Sequence, residues 1–99
     1  MANSENEIQE ITTLTLLQFY AEWCHPCKMV MPIVASIKGK QYDWLDIHQI
    51  DVDHHREIAG EYQIRSVPTF VVLKNNKEVW RSSGILSARA LMEELSLLK

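Results

Sequence analysis

Short apolar segments separated by helix-like ones constrain the fold of this chain more than any other feature. Segments 13–21, 45–52 and 68–73 are rich in β-branched, aromatic and other apolar residues, which predicts three mostly buried strands. Segment 78–82 follows the turn sequence Lys-Asn-Asn-Lys, and it is predicted to pair back on the third strand as a hairpin.

Helix signals fill the intervals between these strands. The apolar residues after the cysteine motif, from Met29 to Ile37, recur at helical spacing and predict a helix that begins at or just after Cys24. Pro32 should kink this helix, and it should stop near Gly39, a suitable C-terminal cap. Asp53 is predicted to cap a short second helix, and Ser87 a final one. The order β-α-β-α-β-β-α indicates an α/β fold, with parallel pairing between strands that a helix separates and an antiparallel edge from the hairpin.

The length of 99 residues fits one domain, which we assign to residues 11–99 behind a polar, acidic segment at residues 1–10. The net charge of −3 provides no basic surface for nucleic acid or an anionic membrane. The sequence has no apolar run of about 18 residues to span a bilayer, and its start lacks the basic and apolar parts of a secretory signal. We therefore predict a cytoplasmic protein without nucleic-acid or membrane partners.

The two cysteines, Cys24 and Cys27, stand three positions apart. They are too few for a disulfide scaffold, and a reducing cytosol would open a structural bridge. The spacing therefore indicates redox chemistry or metal binding. Structural zinc needs four converging ligands, and the candidates His54 and His55 begin a different helix, so we expect no metal site and no bound cofactor.

The residues around this pair resemble the thioredoxin family. The sequence Trp-Cys-His-Pro-Cys at residues 23–27 resembles that family's active site, and Val-Pro-Thr at residues 67–69 resembles its cis-proline loop. Gly84, Pro32 and the Lys-Asn turn also match, so the resemblance covers residues 14–98. It implies a thioredoxin-like fold, a four-stranded mixed sheet flanked by helices, in which the family's first strand is missing.

A position at a helix N-terminus would give Cys24 a chemical role. Unpaired backbone N–H groups and the positive end of the helix dipole favour an anion there. The pKa of a cysteine, ordinarily about 8.5, is therefore expected to fall, and the thiolate is the species that attacks a disulfide. Cys27, one turn inside the helix, would resolve the mixed disulfide, and Pro26 fits the first turn because its missing N–H has no helical partner to lose.

The resemblance also implies a substrate groove. It implies that the Val67–Pro68 bond is cis, that Pro68 packs against the disulfide, and that the Val67 backbone stays free to pair with an extended substrate. Without the resemblance, Pro68 would simply start a strand, with the usual trans bond. The shallow apolar groove for a partner protein is expected to include Trp23, His25, Pro26, Val67, Gly84 and Ile85.

Two features of the site depart from the family pattern. His25 replaces the usual glycine, either as a tolerated exposed substitution or as an imidazole that stabilises the thiolate and makes the couple more oxidising. Gln18 and Gln49 stand where the family buries an aspartate and a lysine. Because two amides can satisfy each other, we expect Gln18 and Gln49 to approach each other under the cysteines and to leave Cys27 without a built-in base.

These observations predict a protein-disulfide oxidoreductase that exchanges disulfides through Cys24 and Cys27 and takes its electrons from an external reductase or a small thiol. Two alternatives stay open. The first is a more oxidising isomerase or thiol carrier, favoured by His25 and the missing aspartate. The second is a protein-binding module that holds a partner in the groove with little turnover.

Overall fold

The computed structural model describes residues 13–99, and its elements follow the predicted order. The strands are β1 (Leu14–Tyr20), β2 (Leu45–Asp51), β3 (Thr69–Lys74) and β4 (Lys77–Ser83). The helices are α1 (Cys27–Gly39), α2 (Arg56–Glu61) and α3 (Ala88–Leu98). The expectations for residues 1–12, including the domain boundary at residue 11, lie outside the described residues.

The strands form one mixed sheet in the order β2-β1-β3-β4, so the predicted four-stranded sheet is confirmed for residues 13–99. β1 and β2 run parallel, in a register that sets Gln18 opposite Gln49. β3 runs antiparallel to both β1 and β4. The prediction of parallel pairing is therefore right for β2 and wrong for β3, because the chain reverses direction after the six-residue α2 instead of completing a crossover.

Apolar side chains cover both faces of the sheet. Successive residues of β1 point to opposite faces, so Leu14 and Leu16 pack with the buried side chains of α1 and α3. Leu17 and Phe19 point the other way and pack on the side of Ile58 in α2. This alternation places Gln18 on the face that α1 covers, which sets up a polar contact beneath the cysteine-bearing end of that helix.

The hairpin turn and the last helix cap lie where the sequence predicts them. Asn75 and Asn76 have φ values of 55° and 66°, the left-handed pair that a two-residue hairpin turn requires. Ser87 caps α3, because its hydroxyl accepts the N–H of Ala90 at 3.0 Å.

The C-terminal end of α1 differs from the prediction in one respect. The helix ends at Gly39, but the cap residue is Lys40, which keeps the right-handed φ of −76°. The positive φ falls at Gln41, at 54°. The N–H of Lys40 bonds to the carbonyl of Ile37 and the N–H of Gln41 to that of Lys38, each at 3.1 Å, so the chain leaves helical geometry after the glycine instead of at it.

The outer strand β2 carries polar side chains on its exposed positions. Asp46 Oδ2 and His48 Nε2 lie within hydrogen-bonding distance there, at 2.9 Å, and both side chains are more than half exposed. No helix within residues 13–99 has the length and apolar character needed to cross a lipid bilayer.

Candidate active site

The two cysteines lie beyond the C-terminal end of β1, where the chain passes from the sheet into α1. They form a disulfide with a Cα–Cα distance of 5.3 Å. Cys24 is 4% exposed and Cys27 is 1% exposed, and both pack with Ala21, Val52 and Val67. The pair thus sits in a shallow apolar setting at one end of the sheet.

Helix α1 begins later than the sequence predicts. Pro26 is its N-cap, with φ −60° and ψ −27°, and Cys27 is its first residue instead of lying one turn inside. A residue that precedes proline is disfavoured in the helical region, so His25 cannot extend the helix backwards. Cys24 therefore lies in front of the first turn. The N–H groups of Lys28 and Met29 there bond to the carbonyls of His25 and Pro26, which leaves the N–H of Cys27 for the sulfur of Cys24.

Two backbone groups contact the sulfur of Cys24. The N–H of Cys27 donates to Cys24 Sγ at 3.2 Å. The carbonyl oxygen of Val67 lies 3.5 Å from the same sulfur, on its other side. The first contact supplies a hydrogen-bond donor to a sulfur anion, and the second supplies an acceptor for a protonated thiol.

The Val67–Pro68 peptide bond is cis, as the family resemblance implies. Pro68 is buried, and its carbonyl accepts the N–H of Gly84 at 2.8 Å. Gly84 has a φ of 101°, a conformation that strongly favours glycine. Thr69 also stabilises this loop, because its hydroxyl donates to the carbonyl of Ser66 at 2.7 Å.

Trp23 is 71% exposed and is held by one polar contact. Its Nε1–H donates to Asp53 Oδ2 at 2.9 Å. The predicted helix cap at Asp53 is therefore wrong: its carboxylate is engaged by the indole, and His55 takes the N-cap position of α2 without a side-chain hydrogen bond.

The cavity beside Trp23 has a volume of about 120 Å³. Two of the residues expected in the substrate groove, Trp23 and Val67, line this cavity. Four residues that the sequence did not predict there line it with them: Val52, Ile64, Arg65 and Ser66. The other predicted groove residues, His25, Pro26, Gly84 and Ile85, do not line this cavity, and Ile85 is 53% exposed. Arg65 and Ser66 immediately precede Val67 and Pro68, so their position in the sequence could have predicted that they line the cavity.

Asp51 is a buried carboxylate at the end of β2. Its Oδ1 accepts the N–H of Asp53 at 2.9 Å, and its Oδ2 lies 3.1 Å from Nδ1 of His54. Burial raises the pKa of the Asp51 carboxyl, but the hydrogen bonds from Asp53 and His54 outweigh burial and hold that pKa below its ordinary value. Nothing in the local sequence distinguishes this carboxylate from an exposed residue at a strand end, so its burial is seen only in the structure.

Gln18 and Gln49 contact each other as predicted. Gln49 Nε2 donates to Gln18 Oε1 at 2.8 Å and to the backbone carbonyl of Met31 at 3.3 Å. Gln18, with no exposed surface, donates from Nε2 to Met31 Sδ at 3.2 Å. The amide pair is thus tied to the second turn of α1, four residues after Cys27, and both of its members are neutral.

Metal binding is the other chemistry that the spacing of the cysteine pair indicates. Across residues 13–99, no group of three or more His, Cys, Asp or Glu side chains converges as a metal site would require. His54 and His55 lie at the start of α2, and His54 pairs with Asp51.

Comparison with known proteins identifies the family. The family model described as Thioredoxin matches residues 1–96. A thioredoxin of Bacillus subtilis (strain 168) is 41% identical over 80 residues, which cover 81% of this chain and 77% of that protein. The chain belongs to the thioredoxin family.

Further comparisons agree in sequence and in structure. Thioredoxin Y, chloroplastic, of Oryza sativa subsp. japonica is 38% identical over 80 residues, and the chain spans about half (48%) of its length. The X-ray structure of Fasciola hepatica thioredoxin matches with a TM-score of 0.80 and 34% identity, covering 99% of this chain and 93% of that one. The predicted thioredoxin-like fold is confirmed. Family membership and the bonded cysteine pair together make this protein a thiol–disulfide oxidoreductase.

Proposed function

We propose that this thioredoxin-family protein reduces disulfides in extended protein segments, with Cys24 as the attacking thiolate and Cys27 as the resolving thiol. The hydrogen bond from the Cys27 N–H to Cys24 Sγ carries the assignment, because it favours negative charge on that sulfur alone. The start of α1 acts in the same direction through the helix dipole. The two sulfurs differ little in exposure, at 4% for Cys24 and 1% for Cys27, so the hydrogen bond decides between them.

The reaction consists of two thiol–disulfide exchange steps, which together transfer two electrons to the substrate. The Cys24 thiolate attacks one sulfur of the substrate disulfide, so a mixed disulfide forms and the other substrate sulfur leaves as a thiolate. Cys27, as thiolate, then attacks Cys24 Sγ, which closes the Cys24–Cys27 bridge and releases the second substrate thiolate. The protein is oxidised by two electrons, the substrate is reduced by two, and the thiol protons pass to the leaving thiolates.

The loop at Val67 is proposed to hold the substrate backbone. Its carbonyl lies 3.5 Å from Cys24 Sγ, so a chain that pairs with this loop brings its own sulfur to the nucleophile. Backbone pairing binds an extended segment regardless of its sequence, and the cavity between Trp23 and Val67 receives a neighbouring side chain. The proposed substrate groove comprises Trp23, Val67, Pro68, Gly84 and Ile85.

Turnover requires an outside source of electrons. Each cycle leaves the Cys24–Cys27 bridge closed, so a reductase or a small thiol must donate two electrons before the next. We place the protein in the cytoplasm, where such donors keep thiols reduced. Its two cysteines are both used in the bridge, which leaves no thiol for a separate structural disulfide.

A trapping experiment tests the proposal. A Cys27→Ser variant cannot resolve the mixed disulfide, so it should accumulate covalent complexes through Cys24 that dithiothreitol releases. Cys24→Ser, the matched control, should accumulate far fewer, and the wild-type protein should accelerate insulin reduction by dithiothreitol.

The same variants separate an enzyme from a binding module. A binding module would hold its partners after both cysteines are replaced by serine, and it would not accelerate insulin reduction. Those two results together would overturn the proposal.

A further inference from the structure

A buried carboxylate near the cysteine pair has no part in the exchange chemistry described above. Asp51 is 6% exposed, with one oxygen on the Asp53 N–H and the other beside the His54 imidazole. A carboxylate is kept inside a fold only where partners replace its lost hydration. These contacts therefore fix the conformation of the turn at residues 51–54.

The side chain of Asp51 is not needed to start α2. The hydrogen bonds at that point go to the backbone carbonyl of Asp51, which accepts the N–H groups of His54 and His55 at 3.2 and 2.9 Å. The carboxylate acts instead on the turn, through the N–H of Asp53. Its role is therefore separable from the helix that follows.

The same turn determines where Trp23 stands. The indole is largely exposed, so packing restrains it weakly, and its bond to Asp53 Oδ2 is the polar contact that fixes it. Val52, between the two aspartates, lines the cavity that Trp23 walls. A shift of the turn would therefore move both Trp23 and Val52 and change the shape of the cavity that they line.

We propose that Asp51, supported by His54, is a positioning residue for substrate binding: it orders the turn so that Asp53 holds Trp23 as one wall of the cavity beside the Val67 carbonyl. The cavity takes an apolar side chain flanking the substrate disulfide, because Trp23, Val52 and Val67 form its apolar surface. The inference rests on the proposed function, since it concerns how that groove binds a protein substrate.

The principal test replaces Asp51 by alanine and compares two substrates. We expect the KM for insulin to rise about threefold to tenfold, the loss expected for one anchoring hydrogen bond, with kcat changing by less than about twofold. Reduction of 5,5′-dithiobis(2-nitrobenzoate), which is too small to need the cavity, should change much less.

A fluorine label reports the position of Trp23 without reference to catalysis. In 5-fluorotryptophan protein, the ¹⁹F resonance that Trp23→Phe removes should shift in Asp51→Ala and in Asp53→Ala. Asp51→Asn keeps an oxygen acceptor for the Asp53 N–H and should restore most of the wild-type shift. Because Asp51 acts through Asp53, the double variant should have the insulin KM of Asp53→Ala alone.

The control is His48→Ala, which breaks a histidine–aspartate pair of the same kind with Asp46 on the exposed part of β2. It should change neither KM nor the fluorine signal. An unmoved Trp23 resonance in Asp51→Ala, or additive effects in the double variant, would overturn the inference. If Asp51→Ala does not fold, the exposed His54, which contacts the Asp51 carboxylate, is replaced by alanine instead. An unchanged Trp23 resonance in His54→Ala would overturn the inference equally.

Failure of the proposed function gives a different result. The wild-type protein would then not reduce insulin at all, whereas the fluorine comparison would still decide whether Asp51 positions Trp23.

Discussion

At the scale of single residues, backbone groups define the immediate surroundings of Cys24. Apart from its disulfide partner, the polar contacts that the structure describes for its sulfur are the N–H of Cys27 and the carbonyl of Val67. Gln18 and Gln49, the side chains of β1 and β2 that bond to α1, are neutral amides. Substitutions around the pair should therefore tune the reactivity of Cys24 without abolishing it.

The first residue-scale prediction concerns His25, which is exposed beside the reactive sulfur. His25→Gly should lower the reduction potential by about 10–30 mV, because an imidazole favours the thiolate and hence the reduced form. A redox titration against glutathione measures this. His25→Gln is the control, since it keeps a hydrogen-bonding side chain without the imidazole. An unchanged potential in the glycine variant would show that His25 is merely a tolerated substitution.

The second prediction concerns the buried amide pair. Gln18→Asp should speed reduction of protein disulfides at neutral pH, because a carboxylate there can take the proton of Cys27. It should also lower the free energy of unfolding by about 2–5 kcal/mol, since it buries a charge opposite a neutral partner. Turnover kinetics and urea denaturation measure the two effects. Gln49→Lys added to Gln18→Asp should recover stability, whereas a turnover that falls or stays level would contradict the proton-transfer account.

At the scale of elements, two features governed by local chemistry agree with the sequence, and one that depends on a tertiary contact does not. The Asn75–Asn76 turn and the Ser87 cap depend on φ and on a hydrogen bond three residues away, so the residue types predict them. Asp53 looks like a helix cap by the same rules. Its carboxylate instead accepts a hydrogen bond from Trp23, 30 positions away in sequence, and a local sequence pattern cannot predict such a partner.

The hairpin provides the prediction at this scale. Asn76→Gly should raise the free energy of unfolding by roughly 0.5–1 kcal/mol, because glycine adopts the φ of 66° without a Cβ clash. Asn76→Val, the opposite control, should lower it by about 1–2 kcal/mol, because a β-branched residue is poorly suited to that conformation. Urea denaturation distinguishes the two. A valine variant as stable as the wild type would mean that the turn readily adopts another geometry.

At the scale of the whole molecule, the sequence predicts the layers of the fold and the cysteine site but not how the chain closes around it. Periodicity identifies the four strands and three helices, and the resemblance supplies the cis Val67–Pro68 loop. The antiparallel direction of β3 was missed because strand patterns carry no direction. The burial of Asp51 was missed because a carboxylate at a strand end is ordinarily predicted to be exposed, and the contacts that bury it form only in the folded turn.

The pH dependence of global stability gives the last prediction. Partners hold the pKa of Asp51 below its unfolded value of about 3.9, so this carboxylate stabilises the fold above that pH. Its contribution is lost as the pH falls through the lower, folded-state pKa. The stability difference between wild type and Asp51→Asn should therefore be largest near neutrality and shrink in acid, as urea denaturation from pH 7 to pH 2 would show. A difference that is constant with pH would contradict the ionised state.

Both sulfurs are recessed, with Cys24 4% exposed and Cys27 1% exposed. On the proposed function, a protein disulfide reaches these sulfurs when its segment is extended enough to lie between Trp23 and the Val67 loop. We therefore expect disulfides on unfolded or loosely folded chains to be reduced faster than those enclosed in compact proteins.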